Sequence, residues 1–513
     1  MGNEATAPTG PDLTAGIRIG DIPPGGMLQG RVGDDAVLLC RVGDDVFAIG
    51  ATCTHYGAPL AEGVLDGHSV HCPWHHACFS VKTGDATRAP ALRPLPRWKV
   101  ERRGDAIIVG GKIEPADPDL VGVRSTKQAG KHALGRVVIA GGGAAGSAAA
   151  EMLRRESYGG EIVIVEPDAD APYDRPNISK DYLAGSAPEE WLPVRDAAFD
   201  SAHGITRRAG EVAALDPAAR SVTLGDGSAL GYDALLLATG ASARRLPATL
   251  DPAGRVRYLR TLRDSRALIA AAGETDRAIV LGASFIGLEV AAALRARGLE
   301  VHVVAPEARP LERILGPELG AFIQSLHESH GVRFHLGRSA QSIDENGMTL
   351  DDGERIDGSL IVGGVGARLN SDLAVAAGIS TGPGVPVDEY LAASAPNIYA
   401  AGDIAYWPDR LTGGRIHAEH WAVAQRQGQV AAMNMLGARQ RYVTAPFFWS
   451  AHYDVTISYV GHAERWDSIS VSGDLAARDA SVAYRIGERV AALATVGRDR
   501  ESLRAGILME QLA

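Results

Sequence analysis

The side chains with the clearest chemistry lie early in the chain, in the stretch CTHYGAPLAEGVLDGHSVHCPWHHACF (residues 53–79). Cys53 and His55 form a C-x-H pair. After sixteen further residues, Cys72 and His75 form a C-x2-H pair. Two loops would thus each bring one thiolate and one imidazole to a shared point. All four cysteines of the 513-residue chain lie in its first 80 residues, and a disulfide scaffold would not cluster in this way. The pattern predicts a metal site.

Two kinds of metal centre fit these four ligands. In a two-iron cluster, both thiolates can hold one iron and both imidazoles the other. A Cys2His2 set also satisfies tetrahedral zinc, but zinc sites usually carry like ligands on each loop, whereas each loop here mixes the two types. The string C-x-H-x16-C-x2-H closely resembles the Rieske family. The resemblance implies a [2Fe-2S] cluster on Cys53, His55, Cys72 and His75, and zinc stays as the alternative.

Further histidines and cysteines near these loops fall outside the ligand pattern. We expect His68, His71 and His76 to be solvated loop residues. Cys78 is close to the predicted cluster without being one of its ligands. Cys40, within the strand-like run AVLLCRV, is expected to be a buried thiol.

The chain departs from the high-potential branch of the Rieske family. That branch has a disulfide between the loops and a serine hydroxyl near the cluster, whereas the corresponding positions here are Ala58, Trp74 and Ala77. Phe79 stands where a tyrosine hydroxyl would be. Because fewer hydrogen bonds reach the sulfurs, the resemblance implies a potential low in the Rieske range, about −150 mV or a little above.

A dinucleotide-binding unit begins at Gly135 with GRVVIAGGGAAGSAAAEMLRRE. An apolar run leads into Gly141, Gly143 and Gly146, spaced as G-x-G-x-x-G, and an alanine-rich helix follows. A second apolar run, EIVIVE, ends at Glu166, twenty residues past the last glycine. The glycines allow a tight turn, close approach of a pyrophosphate and helix–strand packing, and the acid takes a ribose hydroxyl.

A second unit of the same kind begins at Arg277 with RAIVLGASFIGLEVAAALRARGLEVHVVAPE. Gly282 and Gly287 match the first and third glycines, and Ser284 takes the second position. Glu307 is the candidate acid, also twenty residues past the last glycine, although it stands beyond the usual place at the strand end. An acid there repels a 2′-phosphate, which favours NADH over NADPH. The alternative is a structural βαβ unit without a ligand.

Four further stretches complete a second resemblance. YDALLLATGASARRLP (232–247), LIVGGVGARLN (360–370) and APNIYAAGDIAYWPD (395–409) are each a strand ending in a glycine turn, and PYDRPNISKDYL covers 172–183. Together with the two glycine motifs they are similar to the two-dinucleotide flavoprotein reductases. The branch that adds an N-terminal Rieske module is that of the apoptosis-inducing-factor-like proteins, near the ferredoxin reductases of oxygenase systems.

This resemblance implies FAD and NAD(P)H as cofactors, bound by the glycines of both motifs and by Thr239 and Gly240. It also implies that Glu166 binds the adenosine ribose, that Arg175 and Lys180 lie on the flavin side, and that Asp403 binds the ribityl or pyrophosphate end. Trp421 would lie near the isoalloxazine. Lys180 and Glu289 would pair close to flavin N5, and Phe285 would shield the place where nicotinamide stacks. The alternatives are simple packing for Trp421 and solvated helix positions for Lys180 and Glu289.

The fold expected from these patterns is multidomain. An N-terminal all-β Rieske domain precedes α/β, Rossmann-like FAD and NAD domains and a C-terminal α+β or β-rich domain. The expected ranges are 12–111 for the Rieske domain, 112–134 for a linker, 135–250 and 371–440 for the two parts of the FAD domain, 251–370 for the NAD(P) domain, and 441–513 for a C-terminal reductase domain.

The absence of cysteine after residue 78 excludes one kind of chemistry. Disulfide reductases of this architecture need a redox-active cysteine pair beside the flavin, and peroxidase variants need one reactive cysteine. Hydride transfer from NAD(P)H to the flavin needs positioning more than acid–base help. The electrons must then leave one at a time, and the N-terminal cluster is the one-electron site that the sequence encodes.

We therefore expect an NAD(P)H:acceptor oxidoreductase of the ferredoxin–NAD reductase type. NADH would reduce FAD, FAD would reduce the Rieske cluster, and the cluster would reduce an external acceptor protein such as an oxygenase component or a cytochrome. The alternative is an apoptosis-inducing-factor-like interaction protein that senses redox state with little turnover.

Charge and hydropathy narrow the expected partners and location. The chain has 51 basic and 62 acidic residues, a net charge of −11 and no long run of either sign, which argues against nucleic acid and an anionic membrane surface. It has no stretch of about eighteen apolar residues and no signal-peptide pattern, so we expect a cytoplasmic protein. A homodimer is one candidate assembly.

Overall fold

The computed structural model describes residues 9–113 and 134–512. Within these ranges an all-β region is followed by two parallel-sheet regions and an antiparallel sheet with one helix, which confirms the expected fold class. The expected linker, 112–134, begins too early, because the strand Ala106–Ile113 includes its first two residues. Residues 114–133 of that linker lie outside the described ranges.

Short apolar runs separated by Gly-Asp turns form antiparallel sheets in the N-terminal region, since such turns join neighbouring strands directly. The larger sheet has six strands, in the order Ile17–Arg18, Ala106–Ile113, Arg97–Arg103, Asp45–Gly50, Asp35–Val42 and Met27–Val32. The smaller sheet has four, Val64–Asp66, Ser69–His71, Cys78–Ser80 and Ala86–Arg88, and 3₁₀ helices cover Ile19–Asp21 and Leu60–Glu62. One predicted metal loop joins the second and third strands of the smaller sheet, and the other precedes its first strand.

The first glycine motif lies in a five-stranded parallel sheet whose central strands are buried on both faces, as strands covered by helices are. The strand order is Ile205–Ala209, Glu161–Glu166, Arg136–Ala140, Ala234–Leu237 and Ile398–Ala400. The helices are Ala144–Arg155, Asp181–Ala184, Phe199–Ala202, Asp372–Ala376 and Trp421–Met435, with 3₁₀ turns at Arg175–Ser179 and Glu189–Trp191. Two three-stranded sheets accompany them, Val212–Asp216, Ser221–Leu224 and Ala229–Gly231, and Val385–Pro386, Ala405–Pro408 and Arg415–Ile416.

The second glycine motif lies in another five-stranded parallel sheet, ordered Arg257–Tyr258, Leu360–Gly363, Arg277–Leu281, Glu300–Ala305 and Val332–Leu336. Its helices are Leu262–Ala272, Phe285–Ala296 and Glu312–Ser329, and a three-stranded sheet holds Ala340–Asp344, Gly347–Leu350 and Arg355–Asp357. The chain enters this region after Ala241–Ala243 and leaves it through Ala367–Leu369. These two strands pair antiparallel, so the second region is an insertion between two parts of the first.

The C-terminal region is an antiparallel sheet of five strands with one helix packed on it. The strand order is Phe447–His452, Val455–Gly461, Arg489–Val496, Asp479–Ile486 and Ser468–Asp474, and the helix is Asp499–Leu512. Among the described helices of the whole chain, none is both long and apolar enough to cross a bilayer.

Two helices of the first parallel-sheet region, Ala144–Arg155 and Trp421–Met435, pack closely against each other. A Cβ atom added at Gly428 would lie 2.1 Å from the backbone oxygen of Ala145. The absence of a side chain at Gly428 therefore sets the distance between these helices, and the first of them begins at the glycine loop.

Replacing Gly428 by Ala is expected to overpack this contact and cost about 1–3 kcal/mol. The measurement is the thermal midpoint of the FAD-loaded protein, which should fall by several degrees. Gly382→Ala is the control, since nothing lies within 4 Å of the added Cβ. Equal midpoints for the two variants would contradict the packing argument.

Candidate functional site

The two predicted metal loops close with the same backbone hydrogen bond. The amide of Cys53 donates to the carbonyl of Ala58 at 2.9 Å, and the amide of Cys72 donates to the carbonyl of Ala77 at 2.8 Å. In each loop the donor is the predicted thiolate ligand and the acceptor is five residues further along. Two loops with one shared geometry therefore present their cysteines in the same way.

The four predicted ligands meet in two pairs of like atoms. The Cys72 thiol hydrogen-bonds the Cys53 sulfur, which lowers the pKa of Cys53. His55 Nδ1 and His75 Nδ1 lie 3.1 Å apart. Among the described residues, no point gathers three or more His, Cys, Asp or Glu side chains as one mononuclear metal ion would require. A sulfur pair beside a nitrogen pair fits a two-iron centre with two protein ligands on each iron, and it does not fit tetrahedral zinc.

Residues outside the N-terminal region contact both imidazoles. Asp174 Oδ2 lies 3.7 Å from His55 Nε2 and accepts a hydrogen bond from the Tyr56 hydroxyl. His75 packs against the indole of Trp449, with ring centroids 4.2 Å apart. A carboxylate close to the second nitrogen of a metal-binding imidazole orients the ring. Asp174 is placed to do this for His55.

The expectation that His71 and His76 are solvated is wrong, because both are buried. His71 Nδ1 lies 3.3 Å from Cys78 Sγ. The His76 ring stacks on Phe447 with centroids 3.8 Å apart, and its Nε2 lies 3.2 Å from Ser502 Oγ. His76 is buried because the C-terminal region, rather than water, covers its ring, and His71 is buried beside Cys78 within the N-terminal region.

The remaining neighbours behave as expected. His68 is exposed and Cys40 is buried, and burial raises the pKa of the Cys40 thiol to about 12. Burial alone would also raise the pKa of Cys78, but the positive charge of Arg88 and the nearby His71 outweigh it and lower that pKa to about 7. Cys78 thus pairs with the imidazole of His71 rather than with the thiols of Cys53 and Cys72.

A buried and a partly buried arginine fix the N-terminal region on the rest of the chain. Arg426 donates to the carbonyl of Ala89 at 3.0 Å and to that of His76 at 2.9 Å. Arg88 forms a two-pronged pair with Glu510, with N···O distances of 3.1 and 2.7 Å. Charge-assisted bonds of this kind set orientation as well as adding attraction. They hold the metal loops in one position relative to the dinucleotide region.

A cavity of about 930 Å³ lies where the two parallel-sheet regions and the C-terminal region meet. This volume is at the upper end for small-molecule sites and suits a large cofactor. The cavity brings together most of the predicted site residues, namely Gly141, Gly143, Glu166, Arg175, Lys180, Thr239, Gly240, Phe285, Glu289, Asp403 and Trp421.

The other four predicted residues, Gly146, Gly282, Gly287 and Glu307, do not line this cavity. A Cβ at Gly146 would lie 1.9 Å from the oxygen of Gly141, and one at Gly287 would lie 2.2 Å from that of Gly282. These positions let each helix approach its strand, which is the packing role of the third glycine. Glu307 is partly buried, and its role in binding a nucleotide stays a prediction.

The first glycine loop and Arg175 form a cradle for an anion. The helix Ala144–Arg155 begins directly after Gly143, so its free amides face the cavity. Arg175 Nη1 lies 3.8 Å from the Cβ position of Gly143, and its buried Nε has no hydrogen-bond partner in the described part of the chain. The amide of Gly142 donates to the Glu166 carboxylate. Helix amides, a guanidinium and an acid in this arrangement fit the pyrophosphate and ribose of FAD.

Lys180 and Glu289 form a largely buried ion pair at the cavity wall. Lys180 Nζ lies 2.9 Å from Glu289 Oε2, and the two side chains are 14% and 5% exposed. The hydroxyl of Ser179 donates to Glu289 Oε2, and that of Ser450 to Oε1, both at 2.6 Å. The alternative of solvated helix positions is therefore wrong. The hydroxyls compensate for the lost hydration of the carboxylate, which a buried pair requires.

Two further predicted residues occupy other parts of the wall. Asp403 Oδ2 accepts a hydrogen bond from Arg260 Nη2 at 2.6 Å, so the cavity presents this acid already paired. Trp421 is the first residue of the helix Trp421–Met435 and is only partly buried. Its ring lines the cavity and is thus not packed solely beneath the helix.

The strand Phe447–His452 separates the cavity from the metal loops. Side chains alternate between the faces of a strand. Phe447 and Trp449 contact His76 and His75 on one side, while Ser450 on the other side reaches Glu289. Trp449 also lines the cavity, and it therefore touches both predicted redox sites.

Sequence reasoning missed Trp449, Ser450 and Asp174. The run FFWSAH matches no spacing motif, and its residues acquire a role only through contacts with distant parts of the chain. Asp174 lies within the stretch PYDRPNISKDYL, next to Arg175 and six residues before Lys180, both of which the family resemblance assigns to the flavin side. The one available signal was three consecutive aromatic residues, Phe447, Phe448 and Trp449, directly before a serine in an otherwise β-rich segment.

Family models match three parts of the chain. Residues 135–428 match the pyridine nucleotide-disulphide oxidoreductase family, residues 15–99 match the Rieske [2Fe-2S] domain, and residues 447–513 match the reductase C-terminal domain. The first of these matches spans more than half of the chain.

Individual relatives agree with the family models. Apoptosis-inducing factor 3 of Homo sapiens is 31% identical over 496 residues, which cover 93% of this chain and 81% of the relative. The ferredoxin–NAD(+) reductase component of the anthranilate 1,2-dioxygenase system of Burkholderia cepacia is 36% identical over 371 residues, 71% of this chain and 91% of the relative. The crystal structure of the covalent putidaredoxin reductase–putidaredoxin complex matches with a TM-score of 0.71 at 34% identity, over 73% of this chain and 93% of that chain.

Replacing Cys72 by Ser removes one of the two paired sulfurs. We expect the variant to lose iron, inorganic sulfide and the paramagnetic signal of the dithionite-reduced protein, because one iron loses a thiolate ligand. FAD content should be retained, since other residues form the cavity. Metal analysis, the visible spectrum and low-temperature paramagnetic resonance make the measurement.

Cys78→Ser is the matched control, an equally buried thiol that faces His71 instead of the other sulfur. It should keep both iron and signal. An unchanged signal in Cys72→Ser, or zinc without iron in the parent protein, would show that the ligand set is misassigned.

Proposed function

We propose that this chain, which belongs to the pyridine nucleotide-disulphide oxidoreductase family and carries a Rieske domain, passes electrons from NADH through its own cluster to an external acceptor protein. Its family makes it a FAD-dependent oxidoreductase that uses NAD(P)H, and its Rieske domain implies a [2Fe-2S] cluster, as expected from the sequence. When bound, FAD exchanges electrons in pairs with the nicotinamide and singly with the cluster. The part that is new here is the route through the Rieske domain.

The position of Trp449 is the observation that carries this route. Its indole lines the dinucleotide cavity, and its ring centroid lies 4.2 Å from that of His75 and 6.5 Å from that of His55. One aromatic side chain thus contacts the cavity on one side and the predicted imidazole ligands on the other. The distance that an electron must cross between the two sites is therefore short.

The residues around the cavity position the reactants and exclude water. Glu289 holds the ammonium group of Lys180 at the wall, so this cation keeps one position. Phe285 lies one helical turn before Glu289, on the same face of its helix, and contacts Phe448 edge-to-face at 4.9 Å. The two rings form an apolar surface beside the ion pair. A fixed, dry surface is what hydride transfer between two bound cofactors requires.

NADH is the nicotinamide cofactor that we propose. Glu307 follows the strand Glu300–Ala305 and would repel the 2′-phosphate of NADPH. Arg309, which could attract that phosphate, pairs with Glu312 at 3.2 Å. Arg309 is therefore already paired with a carboxylate.

An oxygenase component or a cytochrome is the acceptor that we propose. Trp74 and Tyr56, which flank the predicted ligands, are 40% and 39% exposed, so the metal loops keep an open edge. The names of the reductase relatives favour turnover, whereas the similarity to apoptosis-inducing factor 3 favours a redox-sensing interaction protein. Steady-state NADH oxidation with cytochrome c or ferricyanide separates the two, because a sensor turns over slowly.

Replacing Trp449 by Leu tests the route. In anaerobic stopped-flow mixing with NADH, we expect bleaching of FAD at the parental rate and slower reduction of the cluster, since the ring between the sites is lost. Trp74→Leu is the control, a tryptophan beside His75 that does not line the cavity. The proposal fails if the parent protein shows FAD bleaching while its cluster stays oxidised at all times.

Replacing Glu307 by Ala tests the cofactor choice. The preference for NADH over NADPH, measured as the ratio of kcat/KM values, should fall by about tenfold because a like-charge repulsion is removed. Glu328→Ala changes an exposed acid elsewhere in the same region and should leave the ratio unaltered. An unchanged ratio in the Glu307 variant would remove this residue from the nucleotide site.

A further inference from the structure

A chain of buried hydrogen bonds leads away from the Lys180–Glu289 pair, on the side opposite to the metal loops. Ser450 Oγ lies 2.6 Å from Glu289 Oε1 and 3.1 Å from His452 Nε2. His452 Nδ1 lies 3.2 Å from His327 Nε2, and His327 Nδ1 lies 3.4 Å from the Tyr453 hydroxyl. Ser450, His452 and His327 are at most 1% exposed. The contacts form one unbranched line of groups that can each donate and accept a proton.

The ionised form of Glu289 fixes the direction of these hydrogen bonds. A carboxylate only accepts, so the Ser450 hydroxyl donates to it, and His452 Nε2–H donates to Ser450. His452 Nδ1 must then accept from His327 Nε2–H, and His327 Nδ1 must accept from the Tyr453 hydroxyl. Both imidazoles are neutral in this arrangement and carry their proton on Nε2.

When Glu289 is protonated, every hydrogen bond in the line runs in the opposite direction. Its O–H donates to Ser450, Ser450 donates to His452 Nε2, and each imidazole carries its proton on Nδ1 and donates outward. The same distances satisfy both arrangements. Passing one proton outward converts the second arrangement into the first, so the line has two states that differ by one proton at Glu289.

The surroundings keep both imidazoles neutral. Burial lowers the pKa of His452 to about 3, with Lys180 adding to the shift. Burial also lowers the pKa of His327 well below its ordinary value, with His452 and His330 adding to it. A neutral imidazole can accept on one nitrogen while it donates from the other, whereas an imidazolium can only donate. Neutrality is thus the state that conduction requires.

The outer end of the line reaches solvent at Tyr453. This residue has a left-handed backbone, with φ of 59°, and is partly exposed. Its ring stacks on that of the exposed His330, with centroids 3.7 Å apart. The stacking fixes the position of the Tyr453 ring, whose hydroxyl lies toward His327.

We propose that Glu289, Ser450, His452, His327 and Tyr453 form a proton relay between the dinucleotide cavity and solvent. The reaction is NADH → NAD⁺ + H⁺ + 2e⁻, and the two electrons reduce two molecules of a one-electron acceptor. One proton per NADH is left at the cavity, where Glu289 can take it and pass it outward. This inference uses from the proposed function only that electrons leave singly.

The two hydroxyls on Glu289 provide a matched test. Ser450 and Ser179 both donate to its carboxylate at 2.6 Å, but only Ser450 continues into the relay. Proton release is followed with a pH-indicator dye in stopped flow, with NADH as donor and ferricyanide as acceptor. Ferricyanide takes an electron without a proton, so the measurement works even where the cluster is not reduced.

In Ser450→Ala we expect proton release to be slower by about tenfold or more, the scale on which a lost proton-transfer group acts. Tyr453→Phe, at the outer end, should slow the same step. Ser179→Ala loses one hydrogen bond to Glu289 but should release the proton faster than either of them. Equal release rates in Ser450→Ala, Tyr453→Phe and Ser179→Ala would overturn the relay.

A second measurement does not depend on turnover. In ¹⁵N-histidine spectra of the oxidised protein near neutral pH, we expect His327 and His452 to be neutral and protonated on Nε2. Ser450→Ala should change the His452 Nε2 signal, because its acceptor is removed, while Ser179→Ala should not. A charged imidazole at either position, or a His452 signal unaltered by Ser450→Ala, would refute the proposal whatever the fate of the electron route.

Discussion

The alternation of side chains along the single strand Phe447–His452 organises the chemistry of the molecule. A strand turns successive residues to opposite faces, so one short segment can contact two different sites at once. One face of this strand carries the aromatic rings that meet the metal loops. The other carries the hydroxyl and imidazole that meet Glu289 and His327. A shift in register by one residue would exchange the two faces and break both sets of contacts.

Burying the polar groups on the second face of the strand costs free energy unless each group has a hydrogen-bond partner. The Lys180–Glu289 pair loses its hydration, and Coulomb attraction alone rarely compensates for that. Two serine hydroxyls and an extended line of imidazoles supply the missing hydrogen bonds. At the boundary between the metal loops and the rest of the chain, Arg426 does the same for the carbonyls of Ala89 and His76, and Arg88 for the carboxylate of Glu510.

Much of the site could be predicted because its residues are close in sequence and have few alternatives. The spacing of the glycines indicates where the backbone of a helix must approach a strand, and Gly146 and Gly287 have no room for a side chain. The Cys–His spacing reports two loops of one geometry. What failed were the judgements on residues whose distant neighbours no motif indicates. His76 looked solvated, yet Arg426 binds its carbonyl from 350 residues away. Trp449 belongs to no local pattern, so only the packed structure reveals its contact with His75.

The arginine contacts that dock the N-terminal region have a kinetic consequence. A carrier on a separate protein must find its reductase by diffusion, and salt then weakens any encounter steered by exposed charges. Here donor and carrier belong to one chain, and the contacts of Arg426 and Arg88 hold them together, so their effective concentration does not depend on how much protein is present. Along the proposed route, electron transfer from FAD to the cluster is therefore unimolecular, and its rate does not depend on protein concentration or ionic strength. Competing carrier proteins affect only the later transfer from the cluster to the external acceptor.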